Sequence, residues 1–178
     1  TSDFGWTFDS ISENVVWSFQ NGPAASEGSG YLYFGDPDTG TYETFEGSIA
    51  YGTAISPTFK VQPNGVSALS FDLFMETEWD NFPVPCDEDC LALSEVNDVL
   101  RISVRDQFFV DELVWSSPSI QNSTQGEYLP IELNLAQWAG QDVQVVFEFA
   151  TADPIFNDYA GVRIDNLNTF VLYRIHGK

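Results

Sequence analysis

Carboxylates spaced to suit a metal ion follow an early apolar segment of the chain. In "YLYFGDPDTGTYETF", residues 31–45, the acids Asp36, Asp38 and Glu43 occur with no Lys or Arg among them. Ca²⁺ prefers six to eight hard oxygen ligands, and two carboxylates, the Thr41 hydroxyl and turn carbonyls supply such oxygens within a few residues. The same Asp- and Gly-containing sequence also forms plain turns. The segment therefore predicts either a calcium site or an ordinary turn after a strand.

A second group of acids could carry out hydrolysis. In "FMETEWDN", Glu76, Glu78 and Asp80 are spaced two apart, so a strand would project them from one face. Retaining glycosidases use two carboxyl groups about 5 Å apart, and Trp79 and Trp115 could form an aromatic platform for the sugar. The spacing differs from the E-x-D-x-x-E pattern of jelly-roll glycosidases. Glycoside hydrolysis by Glu76 and Glu78 is therefore kept only as an alternative.

Other catalytic signatures are missing from the sequence. The only histidine, His176, lies near the C-terminal end, so no Ser or Cys nucleophile has a plausible histidine base, and no glycine-rich phosphate loop occurs. We therefore predict that the protein is not an enzyme.

Two cysteines, Cys86 and Cys90, lie four residues apart in "PVPCDEDCLAL". A zinc site would normally need a second pair of ligands, and the acids between the cysteines raise thiol pKa values, which disfavours redox catalysis. We expect a local disulfide that closes a loop. A disulfide implies an oxidising compartment.

The charge of the chain excludes several partners. Asp and Glu number 27 against six Lys and Arg, which gives a formal net charge of −21. Such a charge repels phosphate backbones and anionic lipid headgroups, so nucleic acid and membrane surfaces are poor partners. No apolar run approaches the ~20 residues of a membrane helix, so membrane insertion is not expected. A strongly acidic surface also keeps proteins soluble.

The apolar pattern predicts a single all-β domain. A chain of 178 residues suits one domain, and 15 Phe, seven Tyr and five Trp favour a pleated, aromatic-rich core. Alternating apolar residues predict strands in "ALSFDLFM", "DVLRISVRD", "DVQVVFEFA" and "YAGVRIDNL". Further strands are predicted at 14–19, 29–35, 49–61, 108–116, 127–133 and 167–174. Only "LNLAQWAGQ" predicts a helical turn. About ten strands in a two-sheet antiparallel sandwich of the jelly-roll type are expected.

Several segments resemble a known class of module when taken in order. These are "GSGYLYFGDPDTGTY", "YGTAISPTF", "LSFDLFMETEW", "DVLRISV", "LNLAQWAGQDVQVVFEF" and "YAGVRIDNL". The order resembles MAM-type jelly-roll modules and the related β-sandwich modules of large secreted bacterial proteins. The spaced cysteines of animal MAM domains are missing, which favours the bacterial relatives. Such modules are non-catalytic and often hold a structural cation. The resemblance therefore implies that Asp36, Asp38, Glu76 and Asp165 converge on one calcium ion.

The resemblance also implies an extracellular module for adhesion or recognition, secreted or at the cell surface. Its partner would be a cell-surface or matrix glycan or protein. A glycan site needs exposed aromatic and polar side chains on loops. The set that best suits a glycan site is Trp79, Phe82, Asp158 and Tyr159.

The N-terminal segment, residues 1–16, stands ahead of the core that carries the resemblance. Phe4, Trp6 and Phe8 alternate with Gly5 and Thr7, which predicts a strand with one apolar face. We expect this strand to fold onto its own sheet, because consecutive elements usually pack as neighbours. In the alternative, the strand completes the sheet of the next subunit in an extracellular filament or surface layer.

Overall fold

The structure is a computed structural model of the chain and describes residues 4–45, 47–64, 66–81 and 98–172. These residues form eleven strands and three short 3-10 helices. The strands are β1 (Thr7–Ser10), β2 (Val16–Asn21), β3 (Gly30–Gly35), β4 (Tyr51–Ile55), β5 (Phe59–Lys60), β6 (Val66–Glu76), β7 (Val99–Arg105), β8 (Asp111–Ser116), β9 (Leu129–Asn134), β10 (Asp142–Ala150) and β11 (Gly161–Leu172). The 3-10 helices are Glu78–Asn81, Ser117–Ile120 and Ala136–Trp138.

The strands form two antiparallel sheets that face each other. The six-stranded sheet has the order β1-β4-β10-β7-β8, with β5 also paired to β10, and the five-stranded sheet has the order β2-β3-β11-β6-β9. The predicted all-β sandwich of the jelly-roll type is confirmed. The first two strands lie at the edges of opposite sheets, so the chain crosses from one sheet to the other between Ser10 and Val16.

The core lies between the sheets because apolar residues alternate along the strands. Phe71, Leu73 and Met75 of β6 are buried, whereas Asp72 is only half-buried. Phe147 of β10 contacts Phe71 of the opposite sheet edge-to-face at 5.7 Å. Aromatic rings therefore fill much of the space between the sheets, as the composition predicts.

The predicted elements differ from the observed ones in two places. The predicted strand at 49–61 is divided into β4 and β5 by a segment that contains Pro57, which has no backbone N–H to donate to a ladder. The two strands predicted near the end of the sequence form one strand, β11, with a bulge between Asp165 and Asn168. The helical turn predicted in "LNLAQWAGQ" is present as Ala136–Trp138. Within the described ranges, no helix has the length and apolarity to cross a membrane.

The N-terminal strand pairs within its own chain, as expected, but it begins only at Thr7, because Phe4 and Gly5 form a turn with positive φ. Thr7 to Ser10 of β1 pair antiparallel with Gly52 to Ile55 of β4. Trp6 and Phe8 pack against the core, whereas Phe4 is 73% exposed.

The register of the strands defines the two ends of the sandwich. Thr7 aligns with Ile55, Val146 and Ser103 across the six-stranded sheet. We call the end where β1 and β10 begin the Phe4 end. The opposite end, where β7 begins and β10 finishes, is called the Asp98 end.

The start of β11 requires glycine. Gly161 has φ +74°, and a Cβ atom placed there would lie 2.5 Å from the Phe34 carbonyl oxygen. This close approach lets β11 enter between β3 and β6 at the centre of the five-stranded sheet.

Candidate functional site

The Asp36 carboxylate is held by hydrogen-bond donors of the protein. One oxygen accepts from Asn14 Nδ2 at 3.1 Å and the other from the Asp38 backbone N–H at 2.9 Å. Burial opposes ionisation of Asp36, but hydrogen bonds from Asn14, Asp38 and Thr39 outweigh it and lower the pKa of the carboxyl. An Asp36–Thr41 bridge closes the turn, in which Asp38 is exposed. The charge of Asp36 is therefore stabilised by amide groups.

Asp165, the predicted ligand on the last strand, fixes a loop. Its Oδ2 accepts from the backbone N–H groups of Ser26 at 2.8 Å and Glu27 at 3.1 Å, and from the Ser26 hydroxyl at 3.1 Å. Its Oδ1 accepts from the Asn166 backbone N–H at 2.7 Å. Asp165 thus anchors the loop between β2 and β3.

The structure does not bring the predicted calcium ligands together. Glu76 pairs with Gly161, whereas Asp165 pairs with Asp72, four positions further along β11. Four strand residues span about 13 Å, which exceeds the reach of one ion. In residues 4–45, 47–64, 66–81 and 98–172, no group of three or more His, Cys, Asp or Glu side chains could hold a metal ion. The predicted four-carboxylate set does not fit a single calcium ion.

The geometry proposed for hydrolysis is also not formed. Strand β6 finishes at Glu76, and Glu78 lies in the 3-10 helix Glu78–Asn81, so the two side chains do not follow one strand face. Burial raises the pKa of Glu78, and the charge of Asp153 adds to the effect. Trp115 is half-buried in β8, in the other sheet.

The predicted ligand-binding residues are placed differently from one another. Trp79 is only 5% exposed, which corrects the expectation of an exposed ring, because the short helix directs this residue inward. Asp158 is exposed, and Tyr159 is half-buried against the core. Phe82 lies outside the described residues, as do Cys86 and Cys90 with their predicted disulfide.

An aromatic groove lies at the Phe4 end, away from that predicted set. It is a cavity of about 400 Å³, within the size range of ligand sites. We call it the Trp6 groove. Its aromatic and polar lining residues are Phe4, Trp6, Phe19, Tyr31, Gln20, Asn21, Asp165 and Asn166. A second cavity of about 290 Å³ shares Trp6 and Leu167 with it, so the depression continues along β11.

The aromatic wall is fixed by ring contacts. Trp6 stacks on Phe147 of the core with a distance of 6.1 Å between ring centroids, and it contacts Phe19 edge-to-face with a centroid distance of 6.0 Å. Phe4 contacts Phe19 edge-to-face at 5.5 Å while most of its own ring remains exposed. The wall thus offers apolar surface to solvent on a support that is packed into the core.

The opposite wall is polar and depends on the β11 bulge. Asn166, within the bulge, has φ +51°, and its Nδ2 donates to Asp72 Oδ2 at 2.7 Å and to Ser26 Oγ at 3.1 Å. Gln20 donates to Ser18 Oγ at 2.9 Å, and Asn21 is exposed. Bulges re-aim side chains, and this one places Asn166 and Leu167 in the groove wall.

Part of this groove is visible in the sequence. Alternation places Phe4, Trp6 and Phe8 on one apolar face, and such a face predicts burial, whereas Phe4 is 73% exposed. The exposure of Phe4 depends on Phe19, Ile164 and Leu167, which come from other parts of the chain.

A buried carboxyl group occupies the opposite end of the sandwich. Asp98 is 2% exposed, and its Oδ2 accepts from the Tyr42 hydroxyl at 2.5 Å. Burial raises the pKa of Asp98 to about 7, with added effects from the charges of Glu78 and Asp153, against the hydrogen bonds from Tyr42 and Ala152. Burial therefore disfavours ionisation of Asp98 near neutral pH.

Comparison with known proteins defines the class of fold. No model of a known protein family matches the sequence, and no curated protein matches it. Among solved structures, the fold is shared with β-sandwich carbohydrate-binding modules and an adhesin domain. The jelly-roll β-sandwich expected from the resemblance is thereby supported, whereas the MAM family itself is not confirmed.

Three solved structures illustrate the similarity. TmCBM61 in complex with β-1,4-galactotriose has a TM-score of 0.54 and 13% identity, over 94% of this chain and 88% of that one. The K1 cleaved adhesin domain of Lys-gingipain from Porphyromonas gingivalis W83 has a TM-score of 0.54 and 10% identity, over 94% and 91%. A structure of carbohydrate-binding modules from the β-sandwich superfamily has a TM-score of 0.51 and 10% identity, over 95% of this chain and 58% of that one. At these identities the likeness shows the fold alone.

Proposed function

We propose that the protein is a non-catalytic, extracellular glycan-binding module and that the Trp6 groove is its binding site. The observation that supports this proposal most strongly is that one exposed ring, Phe4, and half-buried aromatic rings line the same cavity as amide side chains, and that the cavity has a suitable size. A sugar ring has an apolar C–H face, which can cover an aromatic side chain, and hydroxyl groups that both donate and accept. Amide side chains also donate and accept, so they match hydroxyl groups.

The solved structures support this proposal without carrying it. TmCBM61 holds β-1,4-galactotriose, and two of the three similar structures described above are of carbohydrate-binding modules. The filament alternative receives less support, because the strand that it would donate, β1, is paired within the chain. The hydrolase alternative also receives less support, because Glu76 and Glu78 do not lie on one face of a single strand.

Removal of the exposed ring should weaken glycan binding. Titration calorimetry against β-1,4-galactan, xylan, mannan and β-glucan first identifies a ligand. For that ligand, Phe4→Ala is expected to lower affinity about tenfold, since covering a phenylalanine is worth at least about 1.5 kcal/mol. Phe4 is 73% exposed, so its removal leaves the core intact.

The matched control is Phe45→Ala, which removes a ring from a residue that is 75% exposed. Phe45 lies at the Asp98 end, where its backbone N–H donates to Asn14 Oδ1. This variant should bind as the parent protein does. Equal affinities of the Phe4 and Phe45 variants would place the site elsewhere. Failure to bind any of the four polymers would count against the proposal as a whole.

From the sequence alone, we also propose that calcium stabilises the fold. If an ion stabilises the fold, Ca²⁺ at ~100 times its dissociation constant should add about 2.7 kcal/mol to the free energy of unfolding. Thermal melts of metal-free protein with Ca²⁺ or with EDTA measure this effect. Asp38→Asn removes the exposed carboxylate of the Asp36–Thr41 turn and should abolish the difference if the ion lies there. Identical melts of the parent protein under both conditions contradict calcium binding.

A further inference from the structure

We propose that the Trp6 groove selects uncharged glycans and rejects glycans that carry carboxylate or sulfate groups. This inference rests on the proposed function and names the class of ligand for the same site. It follows from the charges that surround the groove and from the commitments of the basic side chains.

The charged groups at the groove are acidic. Asp165 lines the cavity and accepts from the Asn166 backbone N–H, and the neighbouring Asp72 accepts from the Asn166 side-chain amide. The Asp72 and Asp165 backbones are also paired between β6 and β11. Within the described residues, neither the cavity of about 400 Å³ nor its neighbour of about 290 Å³ is lined by a Lys or Arg.

The basic side chains of the described residues lie outside the two cavities. Arg163 is two residues from Asp165 on β11, but its guanidinium carbon lies 4.4 Å from the centroid of the Phe74 ring and it lines neither cavity. Arg101 pairs with Glu148 at 3.3 Å, and Arg105 makes two short hydrogen bonds to Asp111 between β7 and β8, at the edge of the six-stranded sheet opposite β1. Lys60 lines a separate small cavity beyond Phe59. An anionic sugar in the groove would therefore lose hydration without gaining a counter-charge.

Two physical effects would reject an anionic glycan, and they differ in range. The net charge of −21 repels any polyanion at a distance, but salt at 1 M shortens the screening length to about 3 Å and removes that effect. Close contact with Asp165 and Asp72, in a partly closed groove, is screened much less. Rejection that persists at high salt therefore identifies the groove as its cause.

The test compares one polymer in two charge states. β-1,4-Galactan, and galactan oxidised at C6 to carboxylates, are titrated in 0.15 M and 1 M NaCl. The oxidised polymer is expected to bind at least tenfold more weakly in both. Binding of the oxidised polymer within about threefold of the neutral one overturns the inference, and recovery at 1 M salt overturns the role of the groove. If galactan fails, the same pair is prepared from mannan or β-glucan, or xylan is compared with xylan that carries glucuronic acid side groups, and failure of every neutral polymer overturns the proposed function itself.

A variant with an added positive charge gives an independent measurement. Asn21 is exposed in the groove wall, so Asn21→Lys supplies the missing cation and should strengthen binding of the oxidised polymer about tenfold over the parent protein. Ser119→Lys makes the same change of net charge at an exposed position of the helix Ser117–Ile120, which packs on the start of β7 at the Asp98 end. Equal gains in the two variants would show that net charge alone controls binding and would overturn the inference.

Discussion

Replacing Asp98 with Asn is expected to stabilise the protein by roughly 1–3 kcal/mol at pH 8. Burial raises the pKa of Asp98 from 3.8 to about 7. Each pKa unit corresponds to about 1.4 kcal/mol, so ionising this carboxyl in the folded state has a large cost at alkaline pH. Asn is neutral and keeps an oxygen that can accept the hydrogen bond from Tyr42, so the variant avoids that cost. The hydrogen bond from the Ala152 backbone N–H is lost, which offsets about 1–3 kcal/mol of the gain.

The sign of the pH dependence follows from the raised pKa. The folded protein keeps the Asp98 proton between about pH 4 and pH 7, whereas the unfolded chain has lost it, so the Asp98 contribution to stability falls as pH rises through that window. Below about pH 4 both states are protonated, and the advantage of Asp98→Asn should vanish.

Urea unfolding at pH 4 and pH 8 measures both stabilities. Asp158→Asn, at an exposed acid, is the control and should change stability by no more than about 0.5 kcal/mol. An Asp98 variant that is less stable than the parent protein at pH 8 would contradict the assigned burial penalty.

Replacing Gly161 with Ala is expected to destabilise the protein by about 2–5 kcal/mol. Left-handed backbone costs a non-glycine residue about 1–2 kcal/mol, and a steric conflict in a packed site typically costs a further 1–3 kcal/mol. Both apply here, since Gly161 has φ +74° and its Cβ would meet the Phe34 carbonyl oxygen at 2.5 Å. The neighbour is backbone, so it cannot rotate away.

The control isolates the steric part of this loss. Gly40 has φ +76° but no heavy atom within 4 Å of a Cβ placed on it, so Gly40→Ala should lose only the conformational cost of about 1–2 kcal/mol. Thermal melting should then separate the two variants, because each kcal/mol shifts Tm by about 2–4 °C in a domain of this size. Equal Tm values for the two variants would rule out the conflict with Phe34.

The strands could be predicted because each carries its own pattern. Alternating apolar residues in β6, β7 and β10 mark the buried face whatever the partner strand is. The break at Pro57 and the continuity of β11 through its bulge were missed, because a proline can end a strand or sit at its edge, and a bulge interrupts the alternation that identifies a strand. The local pattern therefore predicts a strand better than its limits.

The candidate site was predicted less well because it depends on contacts between distant residues. Asp36 and Asp165 have the chemistry of calcium ligands. Their carboxylate oxygens, however, accept hydrogen bonds from Asn14 and Ser26, and the sequence does not reveal these contacts. Trp79 stands among charged residues in the sequence, but the short helix that follows β6 buries it. Exposure is a property of the assembled sandwich, so residue type alone does not predict it.

The position of β11 has a consequence for how the chain folds. This last strand lies between β3 and β6, and its pairing of Ile164 with Leu32 closes a loop of more than a hundred residues. The chain loses conformational entropy on closing this loop before the stabilising contacts form. Folding is therefore expected on the slow time scale of β-sandwiches, milliseconds to seconds. The five-stranded sheet stays divided until β11 arrives, and the Trp6 groove, built from Phe4 at one end of the chain and Leu167 near the other, forms only then.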